Sequence, residues 1–334
     1  MSSDQYEVID SILSSNDCCY LATIVHVEGS SYRKKGAMMF ISEHGIESGL
    51  LSGGCIEQDL LARIEQLESP KAFFMIYDLR SEDDLSWGQG VGCDGSISIF
   101  VEPINKKLRN QYVKVKHQLE QRSSVQHVIQ FNQLSAKVES FFYSDKGEII
   151  GQSFYEDVIF DAQLIPSSWK GKHIYEYKKS FNPPPRLIIY GAGPDVKPIV
   201  LSATKVGFYV VLADWRPLLC TKENIPYAKE YIVGHPIQAM EKIKLTSQDY
   251  CLVMTHSYLK DQELVDYLLN KQLTYLGILG SKKRTIRLLQ DRMVPDWVKF
   301  PVGMPIFSES PEEIAISIVA ELIQLKNCKK KVSL

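Results

Sequence analysis

A short apolar strand that runs straight into a glycine turn restricts this chain more than any other feature. Residues 186–193 read RLIIYGAG, and apolar residues then recur at helical spacing through Val206. A second β-branched run, FYVVLAD, ends on Asp214, just over 20 residues beyond the turn. Strand, glycine turn, helix and strand make a βαβ opening. Gly191 and Gly193 allow the tight turn and the approach of a pyrophosphate to a helix N-terminus, and Asp214 stands where an acid would bond an adenosine ribose. Val196 occupies the place of the third glycine, which normally lets helix and strand pack closely, and Pro194 suits a first helical turn. Strand candidates at 230–233, 250–254 and 274–278 alternate with helical stretches at 261–270 and 281–291. The fold class is therefore α/β, with a C-terminal Rossmann-like doubly wound parallel sheet covered on both faces. Fold does not fix occupancy, and NAD(P), FAD or an empty turn remain open.

Upstream, residues 4–15 read as a helix, 19–28 as a buried strand, and 37–42 with 46–51 as a hairpin around Glu43-His44-Gly45. Cys55 to Leu67 puts Ile56, Leu60, Leu61, Ile64 and Leu67 on one helical face, and 72–77 and 96–102 return as strands. A smaller mixed α+β domain is expected over 1–104. A polar helix at 106–120 and strands at 126–131, 137–143 and 148–152 form a connecting subdomain over 105–184, which closes on the stiff spacer Asn182-Pro183-Pro184-Pro185. The Rossmann-like domain takes 185–334.

Two loops in the first domain join cysteine to glycine. Ser52-Gly53-Gly54-Cys55 opens the amphipathic helix, where unpaired amides and the helix dipole favour a thiolate on Cys55. In 88–95, GQGVGCDG, glycines at alternating positions, Gly90 and Gly92 among them, let amides converge on an anion around Cys93. Either cysteine alone reads more often as a small buried hydrophobe than as a reactive thiol, and the presence of two in glycine loops of one domain raises the functional reading. Arg33, in the polar turn 28–36, has the fork geometry to hold a phosphate, although a solvated loop explains it as well. His256, at the end of the 250–254 strand, lies where ligands bind in open parallel sheets. Gly280 and Ser281 begin a helix followed by three cations, either an anion site or an ordinary capped start. Cys18, Cys19, Cys220, Cys251 and Cys328 read as structural or incidental.

Composition excludes several classes. A formal net charge of −2 supplies no field for nucleic acid or an anionic membrane. No stretch approaches a bilayer-spanning run and the N-terminus lacks the blocks of a signal peptide, so a cytoplasmic protein with reduced thiols is expected. The seven cysteines show neither zinc-ribbon nor cluster spacing.

Taken together, VEGSSYRKKGAMMF, SGGCIE and GVGCDGSISIFVEP, then YGAG, Asp214-Trp215-Arg216-Pro217, VMTH, YLGILGSKKR and SPEEIAISIVAEL, resemble the XdhC/CoxI family along most of the chain. The sequence differs from common family forms at Pro194, where His is frequent, and at Asp94, where Gly is. The resemblance implies an accessory protein, more a chaperone than a catalyst, that carries molybdopterin-type molybdenum cofactor as cargo. It implies protection of that cargo during terminal sulfuration by a cysteine-desulfurase-type sulfurtransferase, and delivery to an apo-xanthine dehydrogenase-like molybdenum hydroxylase. By the same resemblance Cys55 and Cys93 contact molybdenum or its sulfur, while Gly53, Gly54, Gly90, Gly92 and Arg33 hold the phosphate. A homodimer is the expected assembly. Two other readings stay in view: an NAD(P)-dependent oxidoreductase built on Gly191, Gly193 and Asp214, and an accessory component of the dehydrogenase that only docks partners.

Overall fold

The strand predicted at 19–28 is apolar on both faces because both faces are covered. A computed structural model describes residues 3–15, 19–78, 95–132, 134–156, 158–162, 174–290 and 292–332. The chain divides into two units, Met1–Pro183 and Pro184–Leu334. In the first, α1 (Ser3–Ser14) leads to β1 (Cys19–Gly29), the hairpin β2 (Met38–Ser42) and β3 (Gly45–Gly49), α2 (Cys55–Glu65), β4 (Phe73–Asp78) and β5 (Gly95–Ile104). There follow α3 (Lys106–Glu120), β6 (Val125–Asn132), β7 (Lys137–Ser144), β8 (Ile149–Tyr155), β9 (Ile159–Ala162) and β10 (Ile174–Phe181).

These strands form one six-stranded sheet, β3-β2-β1-β5-β4-β9, and one four-stranded sheet, β10-β6-β7-β8. On β1, Tyr20, Ala22 and Ile24 pack with Ile56 and Leu60 of α2. Its alternate residues Cys19 and Leu21 join Val8 and Ile9 of α1 and Leu108, Tyr112 and Val115 of α3. Further along, Phe74 and Phe100 meet Phe131, Tyr175 and Tyr177 of the second sheet. The stretch expected as a separate connecting subdomain shares these cores with 1–104, and its β9 pairs with β4. Neither β9 nor β10 is marked in the sequence. In β10, Tyr175, Tyr177 and Phe181 are buried between exposed or half-buried polar residues, the alternation of a strand with one covered face, paired with β6.

The second unit comprises β11 (Arg186–Tyr190), α4 (Val196–Lys205), β12 (Tyr209–Asp214), β13 (Glu230–Val233), α5 (Pro236–Ile243), β14 (Tyr250–Val253), α6 (Tyr258–Leu269), β15 (Tyr275–Ile278), α7 (Lys282–Leu289), β16 (Val298–Lys299) and α8 (Pro311–Val332). All six strands run parallel in the order β13-β12-β11-β14-β15-β16, the doubly wound order with its reversal between β11 and β14. One face is covered by α4 and α8, the other by α5, α6 and α7. Leu187 and Ile189 of β11 serve the first core and Ile188 and Tyr190 the second, which explains the uninterrupted apolar run. No helix among the described residues is long and apolar enough to cross a membrane.

Candidate functional site

Register gathers the first set of predicted residues at one end of the six-stranded sheet. Gly29, the last residue of β1, pairs with Gly95, the first of β5, while Asp78, the last of β4, pairs with Ser96. Asp78 and Gly95, which flank residues 79–94, thus lie at the sheet end from which the turn carrying Arg33 departs. The approach is close: a Cβ on Gly95 would lie 2.3 Å from the Glu28 carbonyl oxygen and 2.5 Å from that of Ser30. Because β2 is antiparallel to both β1 and β3, β3 runs the same way as β1 and delivers Ser52-Gly53-Gly54-Cys55 toward that end too. Arg33 is half-buried, and its carbonyl accepts the Ser31 hydroxyl at 2.6 Å. Cys93, Gly90 and Gly92 lie outside the described residues, as does the side chain of Cys55, whose backbone opens α2.

The loop before α2 is organised by a residue that the sequence reading missed. Glu57, 2% exposed, turns back and accepts the amides of Leu51 at 2.9 Å, Ser52 at 2.5 Å and Gly54 at 3.1 Å, together with the Ser52 hydroxyl. Burial raises the Glu57 carboxyl, but the Ser52 hydroxyl and the amides outweigh it and hold it below the ordinary carboxylate value. Amides do converge on an anion here, and the anion is the chain's own. The Gly54 amide expected to hold a cargo phosphate is therefore committed inward. The legible signal was an acid at the third helical position after the loop, the second half of a capping box. Gly54 adopts φ 128°, a region that L side chains rarely enter. Among the described residues, nothing lies within 4 Å of a Cβ built on Gly53 or Gly54, so none of them covers the loop's outer side.

In the second unit, Gly191, Gly193, Asp214 and His256 all lie at the carboxyl ends of β11, β12 and β14, around the reversal in strand order. Gly191 (φ 127°) is required by close approach: its Cβ would lie 2.3 Å from the Met254 carbonyl oxygen. Asp214 occupies its predicted place but is fully buried, and its oxygens accept Ala192 N at 2.7 Å and, from Arg216, N at 2.7 Å, Nε at 2.9 Å and Nη2 at 2.8 Å. Burial raises its carboxyl, and the Arg216 and Ala192 hydrogen bonds more than reverse this. With two donors on each oxygen, it has no lone pair left for the ribose hydroxyl expected there.

His256, 61% exposed at its side chain, has φ 61° and donates from Nε2 to Asp195 Oδ2 at 2.8 Å. Asp195, unmarked in the sequence, immediately precedes α4, and its Oδ1 lies 2.5 Å from where a Cβ on Gly193 would be. Ser281 accepts the Arg284 amide at 3.3 Å and caps α7, the plainer of the two readings of that turn. Beside Gly280 (φ 137°), Arg284 turns back to the buried Asp261, Nη2 to Oδ2 at 2.6 Å. The Arg216 guanidinium and Lys260 Nζ lie 4.4 and 4.7 Å from the centre of the Trp215 ring.

Among the described residues, no cluster of three His, Cys, Asp or Glu side chains has metal-ligating geometry. Cys19, Cys220 and Cys251 are buried, as expected of structural thiols; burial pushes the Cys220 thiol up to about 11 and Cys251 higher still.

Comparison with known proteins bears on both units. The model of the XdhC and CoxI family matches residues 12–75, and that of the XdhC Rossmann domain matches 187–322. The chain is 39% identical over 329 residues to a probable xanthine dehydrogenase subunit of Bacillus subtilis (strain 168), covering 96% of this chain and 97% of that one. A more distant similarity, 21% over 330 residues, covers 94% of this chain and 85% of the molybdenum cofactor insertion chaperone PaoD of Escherichia coli (strain K12). A crystal structure of a xanthine dehydrogenase from Bacillus halodurans superposes with a TM-score of 0.84 at 43% identity, over 100% of this chain and 98% of that one.

Proposed function

The chain belongs to the XdhC and CoxI family, and from that premise we propose that it serves a xanthine-dehydrogenase-like molybdenum hydroxylase as an accessory factor that binds and delivers its molybdenum cofactor. The observation that carries this reading is that three segments run toward one end of the first sheet. These are the Arg33 turn, both ends of the segment containing Cys93, and the loop that sets Cys55 at the start of α2.

The chemistry suits such a cargo. Molybdopterin presents a phosphate and a soft metal-sulfur centre; thiolates suit the second and a guanidinium suits the first. A cysteine in the first turn of a helix has its thiolate favoured by the helix dipole. Glu57 holds the loop from inside, leaving space over Gly53 and Gly54 for the cargo. In this reading Arg33 and the free side of the glycine loop receive the phosphate, Cys55 and Cys93 face the metal end, and a cysteine-desulfurase-type sulfurtransferase acts on the bound cargo in the cytosol.

The test is retention of molybdopterin cofactor by the purified full-length protein. Cys55→Ala and Cys93→Ala are each expected to weaken retention roughly tenfold or more. Retention unchanged in both variants overturns the assignment.

A further inference from the structure

We infer that the Rossmann turn of the second unit is closed to dinucleotides by the chain's own Asp195, held in place by His256. A pyrophosphate bound in this fold needs free amides at the turn and helix N-terminus, no opposing charge, and a gap over the second glycine. Here Gly191 N donates to the Ala213 carbonyl at 2.8 Å, Ala192 N to Asp214 at 2.7 Å and Val196 N to the Gly193 carbonyl at 3.1 Å, and Pro194 has no N–H, so that among the described residues only the Gly193 and Asp195 amides of the turn are left for a ligand, at the point where the Asp195 carboxylate stands. The space over Gly193 holds the Asp195 carboxylate, bonded to His256 at 2.8 Å. A second anion brought to that point meets like charge.

His256 reaches Asp195 from a left-handed conformation, unusual for a residue with a Cβ and a mark of a position fixed by its surroundings. The ribose end is closed as well, since both oxygens of Asp214 are saturated inside the protein. The nucleotide fold is retained, and its ligand position is filled from within. This inference is independent of the cargo reading, which concerns the other unit.

Titration calorimetry of the full-length protein with NAD+, NADH, NADP+ and FAD tests it. The wild type is expected to show no saturable binding up to about 1 mM of any of them. Asp195→Gly, which removes the carboxylate, and Asp195→Asn, which keeps its size and removes its charge, are each expected to gain binding by about tenfold or more for at least one dinucleotide. Circular dichroism confirms that each variant is folded, and the asparagine variant serves if the glycine variant is not. Wild-type binding well below 1 mM overturns the inference. So does a folded variant that binds no better than the wild type, because the closure would then not be owed to Asp195.

Discussion

The loop before α2 and the turn before α4 look alike in sequence, glycines between a strand and a helix, and both give backbone amides to a carboxylate of the same chain, three in the first and one in the second. They differ in where the acids stand. Glu57 reaches up from the third helical position and leaves the outer side of its loop bare, whereas Asp214 braces its turn from the second strand and Asp195 covers the mouth. A glycine motif therefore marks a turn able to hold an anion. Nearby acids decide whether a place remains for one from outside.

Removing the bracing acids breaks the comparison most sharply. Asp214→Ala strands the Ala192 amide and the Arg216 guanidinium, and an unfolding free energy lower by about 4 kcal/mol is expected in urea titration. Glu57→Ala leaves the Leu51 and Ser52 amides without an acceptor and the Gly54 amide with the Ser52 hydroxyl alone, and should cost about 3 kcal/mol, with hydrogen exchange accelerated first at Leu51 and Ser52.

Acidification separates the buried carboxylates by sign. Glu57 and Asp214 are held below their ordinary values, so the stability they confer is present above the unfolded carboxylate pKa and is lost as pH falls through the lower, folded one. Glu102 works in the opposite direction. Fully buried and bonded through Oε2 to the Tyr155 hydroxyl at 2.5 Å, it is pushed by burial up to about 7, so its contribution is complete below the unfolded carboxylate pKa and vanishes as pH climbs toward 7. Glu102→Gln should remove on the order of 3 kcal/mol of pH dependence over that interval, measured as unfolding midpoints in a pH series. The smallest effect sharpens the contrast in openness. Gly53→Ala adds a methyl group into open space and should change stability by less than about 0.5 kcal/mol in the same urea assay, while Gly191→Ala drives one into the Met254 carbonyl and should prevent normal folding.

Much of this architecture was legible because burial and periodicity agree. The run 186–190, apolar on both faces, could only be a central strand, and the polar helix 106–120 lies where its spacing put it. Edge elements were harder: β10 carries Glu176, Lys178 and Lys179, and its buried tyrosines gain meaning only from the sheet they meet. Of the site, Gly191, Gly193 and Asp214 lie at the strand ends that the sequence pattern indicates, but their hydrogen-bond partners were not legible, because periodicity says where a carboxylate stands and not where its oxygens point. Asp195, which follows Pro194 without any pattern to mark it, was invisible for the same reason.

The ladder that ends on the pairing of Asp78 with Ser96 fixes both flanks of residues 79–94 through six residue pairs of β4 and β5. A substitution at Cys93 can therefore change how cargo is held without loosening the sheet that anchors it, so retention and unfolding should respond separately.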